Sequence, residues 1–112
     1  MEIKASTVVE NPKDIVVEGV ITSLEVMTWN ERLKEYPERL KKFDNPEEKN
    51  IFISFECVHK EITFKGDQAI SYSETPLVTS ALGKLLNKYG DLSPGTKIRL
   101  DYDASGKGKL RP

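Results

Sequence analysis

The sequence predicts a mostly β domain, a small five-stranded barrel carrying one helix and a long insertion after its first strand. Three observations lead there. Apolar and polar side chains alternate along 15–27, 51–58 and 97–103, the two-residue period of half-buried strands. Apolar residues recur three and four apart between Pro76 and Gly90, the period of one helix face. Between the first two strand regions, residues 30–49 break both patterns with six basic and six acidic side chains. At 112 residues the chain fits one domain, 1–112, with one core.

Residues 1–13 end at the turn signal Asn11-Pro12 and are expected to form a loose N-terminal segment. The first strand, Ile15 to Met27, changes phase. Ile15 and Val17 lie on one face, Val20, Leu24 and Val26 on the other, and Gly19 sits at the change. A bulge at that glycine would swap faces and bend the strand, as a small barrel requires. Trp29 ends the strand. In the insertion 30–49, Leu33, Tyr36, Leu40 and Phe43 recur at roughly helical spacing. Pro37 opens a short helix to about Phe43, and Asn45-Pro46 closes it.

In the next strand Ile51, Ile53, Phe55 and Cys57 share one face, opposite Phe52, Ser54 and Glu56. Ile62 and Phe64 continue the pattern after a turn near His59-Lys60. Gly66-Asp67 reads as a second turn, so 51–73 holds two or three strands. The helix spans 76–89, with Thr75 as cap, Pro76 in its first turn and Gly90 as its left-handed stop. Its apolar stripe is Val78, Leu82, Leu85 and Tyr89. Ser93-Pro94-Gly95 turns the chain into Lys97–Asp103, where Ile98, Leu100 and Tyr102 alternate with Lys97, Arg99 and Asp101. Ser105-Gly106-Lys107-Gly108 is a turn, and Lys109–Arg111 pairs back as a short last strand.

A long bent strand, an insertion, a strand hairpin, a helix and a final hairpin is an order that resembles the OB-fold. The residues carrying the likeness are Glu18-Gly19-Val20-Ile21 in the first strand and Ser93-Pro94-Gly95-Thr96-Lys97-Ile98 entering the fourth. The resemblance is topological, covers about residues 14–111, and comes with no diagnostic motif. It implies a partly open barrel with its helix between the third and fourth strands. It also implies a binding face flanked by the loops after the first and fourth strands.

Composition narrows the functions. No apolar run approaches the length of about 18 residues that spans a bilayer. Met1–Ser6 lacks the basic start and apolar stretch of a signal peptide, so a cytoplasmic location without membrane contact is expected. One unpaired cysteine, few amides and abundant Lys and Glu suit an intracellular protein of thermophilic, archaeal type. The net charge is −1, but residues 77–112 carry seven basic and three acidic side chains, a balance of +4. One end of the chain can therefore present a positive face.

Catalytic patterns are missing from the sequence. A zinc site needs three or four ligands, and His59 and Cys57 are the only His and Cys present. Cys57 lies in register with the core series, which makes it a buried thiol beside a turn histidine. Gly106-Lys107-Gly108-Lys109 is glycine-rich and basic but precedes no helix, as a phosphate-binding loop would. No enzyme activity, metal or cofactor is expected.

Single-stranded nucleic acid is recognised by flat aromatic faces for bases and by cations for phosphates. Trp29, Phe52 and Tyr72 are the candidate faces, and Lys65, Lys97, Arg99, Lys107, Lys109 and Arg111 the candidate cations. The expectation is thus a non-catalytic module for single-stranded nucleic acid. In a competing arrangement the insertion covers Trp29 and Phe52. The alternative function is a protein-interaction subunit that docks a partner through Leu33, Tyr36, Leu40 and Phe43.

Overall fold

The computed structural model describes all 112 residues, Met1–Pro112. The strand-forming segments pair into one antiparallel sheet, in the order β3-β2-β1-β4-β5, that curls into a half-barrel. The strands are β1 (Ile15–Thr28), β2 (Lys49–His59), β3 (Ile62–Ser71), β4 (Lys97–Tyr102) and β5 (Gly108–Arg111). One turn of helix, α1 (Trp29–Arg32), and a 3-10 helix, Pro37–Lys42, lie in the β1–β2 connection; α2 (Ala81–Tyr89) follows β3 in the chain.

β1 produces the curl. Its first part pairs with β4, from Ile15↔Tyr102 to Val20↔Lys97, and its later part with β2, from Gly19↔Cys57 to Thr28↔Lys49. Only Gly19 and Val20 are in register with both neighbours. A strand shared in this way must coil strongly.

Pairing is regular through Gly19, contrary to the bulge expected there; the register shifts between Ile21 and Ser23 instead. The inward series is Ile15, Val17, Gly19 and Ile21, and Leu24 resumes it beyond the bulge. Val20 and Ile21 are adjacent and both apolar, which hid the point of change from the alternation. Gly19 serves close packing: a Cβ there would lie 2.8 Å from Leu100 Cδ1 and 2.9 Å from the Glu56 carbonyl oxygen.

The region 51–73 forms two strands, joined by the two-residue turn Lys60-Glu61 with φ of 51° and 67°. Gly66-Asp67 is not a turn. Gly66 lies within β3 opposite Phe55, whose ring covers it; a Cβ would stand 2.9 Å from Phe55 Cε2. A glycine under a cross-strand aromatic lets the sheet curve while the ring keeps the gap filled.

Helix α2 starts at Ala81, five residues later than Pro76. The Ser80 hydroxyl accepts the Gly83 amide at 3.0 Å and donates to the Leu77 carbonyl at 2.6 Å. That carbonyl folds so close over Gly83 that a Cβ would stand 1.9 Å from it. The preceding segment is therefore a turn lying on the helix, and Val78 is exposed rather than packed. Leu82 and Leu85 enter the core, and Gly90, with φ 75°, ends the helix as expected. The Tyr89 hydroxyl donates to the Arg111 carbonyl and accepts the Arg99 amide, tying the end of the helix to β4 and β5.

The core centres on Ile21, Ile53, Phe55, Ile98 and Leu100, all essentially inaccessible. Cys57 and Tyr102 belong to it, with Sγ 3.3 Å from the tyrosine oxygen. Burial first, and then the thiol beside it, push the Tyr102 hydroxyl well above the ordinary tyrosine range, so it stays neutral. Residues 1–11 of the N-terminal segment are exposed. Pro12 is buried, and Asn11 packs on Gly106, where a Cβ would stand 2.7 Å from Asn11 Cβ. No helix is long and apolar enough to cross a membrane.

Candidate functional site

The two edge strands, β3 and β5, face each other without forming a backbone ladder. A side chain bridges them: Gln68 Oε1 accepts the Leu110 amide at 2.8 Å. On the outer face beside this seam lies a groove of about 470 Å³. Its floor is Phe52 of β2 with Asp67, Gln68 and Ala69 of β3. Trp29 and Arg32 of α1 form one wall, and Lys107, Gly108 and Lys109 form the other. A second depression, of about 360 Å³, shares Asp67, Lys107 and Gly108 with the first and reaches Lys65.

Local sequence explains each wall. β1 ends at Thr28 because Thr28 and Glu31 form a capping box: the threonine hydroxyl accepts the Glu31 amide at 3.0 Å, and the Glu31 carboxylate accepts the Thr28 amide at 3.2 Å. Trp29 therefore opens a helical turn rather than closing the strand, and Arg32 falls at its end. The signal was legible, a threonine followed three residues later by glutamate. The opposite wall is built by Asp103. Its Oδ1 accepts the Ser105 hydroxyl, the Ser105 amide at 2.9 Å and the Lys107 amide at 3.1 Å. Gly106, with φ 81°, closes the turn. These hydrogen bonds, that from the Ser105 hydroxyl first, hold the Asp103 carboxyl below the usual carboxylate range.

The aromatics are partly spoken for. Phe43 stacks on Trp29, with ring centroids 4.2 Å apart and planes at 19°. Phe52 meets Trp29 edge-on at 4.9 Å, and the Arg32 guanidinium lies 4.6 Å from the Phe52 ring centre. Phe52 is consequently only 5% exposed and offers no free face, although it points outward as its place in β2 requires. Trp29 stays half-buried.

The cations differ in a way that matters for anions. Arg32 pairs with Asp67 at 3.5 Å and with Glu25 at 3.9 Å, and Arg111 pairs with Asp101 at 3.6 Å. Lys65, Lys107 and Lys109 make no ion pair and are exposed. The groove thus gathers Trp29, Phe52, Lys107 and Lys109, while Lys65 lines the neighbouring depression. Tyr72, Lys97, Arg99 and Arg111 stand apart from it. Tyr72 packs against the core, and Lys97 and Arg99 lie on the outer face of β4. The sequence pattern does not single out Arg32, Asp67 and Gln68: Gly66-Asp67 reads as a turn, and Arg32 is one of six basic residues in the charged insertion 30–49. Phe43, part of the docking strip in the alternative reading, turns its ring onto Trp29, while Tyr36 is exposed.

Comparison with protein-family models, curated proteins and solved structures returned no match.

Proposed function

We propose that this domain binds single-stranded nucleic acid along the β3–β5 seam, without catalysis. The observation that carries the reading is the facing of two unlike walls across one groove. Trp29, backed by Phe52, stands on one side, and Lys107 and Lys109, free of ion pairs, stand on the other. A single strand has both features to match, a π face on each base and a phosphate between bases. The OB-fold resemblance supports it. The strand order, the helix carried between β3 and β4, and a groove walled by the first and fourth connections are what that fold uses for single strands. The protein-docking alternative needs Leu33, Tyr36, Leu40 and Phe43 on one open face. Leu33 and Leu40 are half-buried and Phe43 is stacked, which favours it less.

The test is a titration followed by Trp29 fluorescence, with single-stranded DNA, single-stranded RNA and duplex DNA at two salt concentrations. Single strands should bind more tightly than duplex, and binding should weaken as salt rises. Failure of every oligonucleotide to bind at low salt with Kd below about 100 µM would end this reading in favour of protein docking.

A further inference from the structure

We infer that Phe43 occupies the place of a base, so that ligand binding exchanges one stacked ring for another on Trp29. This rests on the nucleic-acid reading above and assigns its base subsite. Trp29 is the aromatic of the groove that is not buried; Phe43 covers one of its flat faces and Phe52 meets it at a right angle. A base that takes this stacked place on Trp29 must displace Phe43, whose ring already lies nearly parallel at stacking distance.

The segment bearing Phe43 is built to let go. No residue of the 3-10 helix Pro37–Lys42 is buried. Apart from the stack, its return to β2 is fixed chiefly at its base, where Asn30 Nδ2 donates to Glu47 at 2.7 Å and the Asn30 amide to the Pro46 carbonyl at 2.9 Å. These contacts lie beyond Phe43 and need not break when the ring swings out. The two stacks overlap in strength, so one can replace the other. An aromatic pair is worth about a factor of two to ten in equilibrium, whereas a base on an aromatic platform is worth about five to one hundred and fifty.

The experiment compares wild type with Phe43→Ala and Phe43→Leu, using a short oligothymidylate and an abasic deoxyribose-phosphate oligomer of equal length. Trp29 is the only tryptophan, so its emission reads the subsite directly. In wild type, oligothymidylate should quench Trp29 and the abasic oligomer should not. Phe43→Ala should bind oligothymidylate about two- to tenfold more tightly, since no pair has to be broken. Phe43→Leu, which still covers the ring, should gain less. Binding by Phe43→Ala no tighter than wild type, or equal quenching by the abasic oligomer, would overturn the inference while leaving phosphate-led binding intact. Absence of any binding by wild type would instead remove the reading on which it rests. Should Phe43→Ala fail to fold by circular dichroism, the wild-type base-against-abasic comparison and Phe43→Leu still decide.

Discussion

The two connections that wall the groove solve the same problem differently. The β1–β2 connection runs from Trp29 to Glu48, is dense in charge, and spends its recognition groups on itself: Trp29 on Phe43, and Arg32 on Phe52, Asp67 and Glu25. The β4–β5 connection, 103–107, is short and is set by one carboxylate that gathers three hydrogen bonds. It leaves Lys107 with nothing to neutralise it. The groups of one wall are therefore engaged within the protein, while the other wall is preset and its lysines are unpaired. On the proposed nucleic-acid reading, an approaching strand would meet the lysines first, by charge, and the aromatic second, by exchange.

The largest effect should come from removing what both walls stand on. Leu82 is 4% exposed and joins α2 to the sheet. Leu82→Ala should destabilise the domain by about 2–5 kcal/mol in denaturant unfolding, through lost burial and the cavity left behind. A loss below about 0.5 kcal/mol would mean that the sheet, and with it the pairing of the two walls, does not depend on the helix.

Smaller changes separate the walls. Trp29→Ala should cost about 1–3 kcal/mol of binding and leave the salt dependence nearly unchanged, because stacking releases no counterions. Lys107→Ala together with Lys109→Ala should flatten the slope of log affinity against log salt by about 1.4, near 0.7 for each lost phosphate contact. Arg111→Ala, whose guanidinium is held by Asp101, should leave that slope unaltered. If the tryptophan and lysine variants change the slope equally, the division of labour between the walls is wrong.

A finer test loosens the hold on Arg32, the cation of the Trp29 wall, which keeps Glu25 at 3.9 Å. Asp67→Asn removes the 3.5 Å partner of Arg32. Both side chains are partly exposed, so the pair contributes little, and stability should shift by no more than about 1 kcal/mol. Binding of a single strand should instead tighten severalfold and its salt slope steepen by about 0.7, one additional phosphate contact. Unchanged affinity would place Arg32 outside the strand's path.

The sequence made the scaffold more legible than the site, for a physical reason. Alternation reports which face of a strand is buried, and so Ile51, Ile53, Phe55, Cys57, Ile98, Leu100 and Tyr102 all fall in the core where their period puts them. It does not report what covers the other face. Phe52 points outward as its position demands, yet Trp29 and Arg32 bury it. Glycine misled for a related reason. Gly19 and Gly66 carry the marks of a bulge and a turn, but both answer to a neighbour distant in sequence, Leu100 for one and Phe55 for the other. Gly83 is the same case at the helix start, where the Leu77 carbonyl overrides the local signal of Thr75-Pro76. The capping box Thr28–Glu31 was local and readable, and it would have placed Trp29 and Arg32 on one helical turn.

The smallest predicted effect concerns the preset wall and its dependence on acid. Asp103 is the group whose ionised form the β4–β5 turn favours, since the Ser105 hydroxyl, the Lys107 amide and the Ser105 amide all donate to it and Lys109 lies nearby. Its folded-state value is therefore depressed below that of the unfolded chain. For a depressed carboxyl the stabilisation is fully present above the unfolded value and fades as pH falls through the lower, folded value. The turn should consequently keep its shape through the mildly acidic range and loosen only below the ordinary aspartate value of 3.8. Amide resonances of Ser105 and Lys107, followed by nuclear magnetic resonance, should shift together with a midpoint below 3.8. Asp103→Asn keeps an acceptor oxygen but no charge, and should remove that transition while preserving much of the turn. Asp103→Ala should disorder the turn at every pH. Should the two amides titrate at the ordinary aspartate value, or independently of one another, the carboxylate is not what sets Lys107 in place, and the contrast between the two walls loses its physical basis.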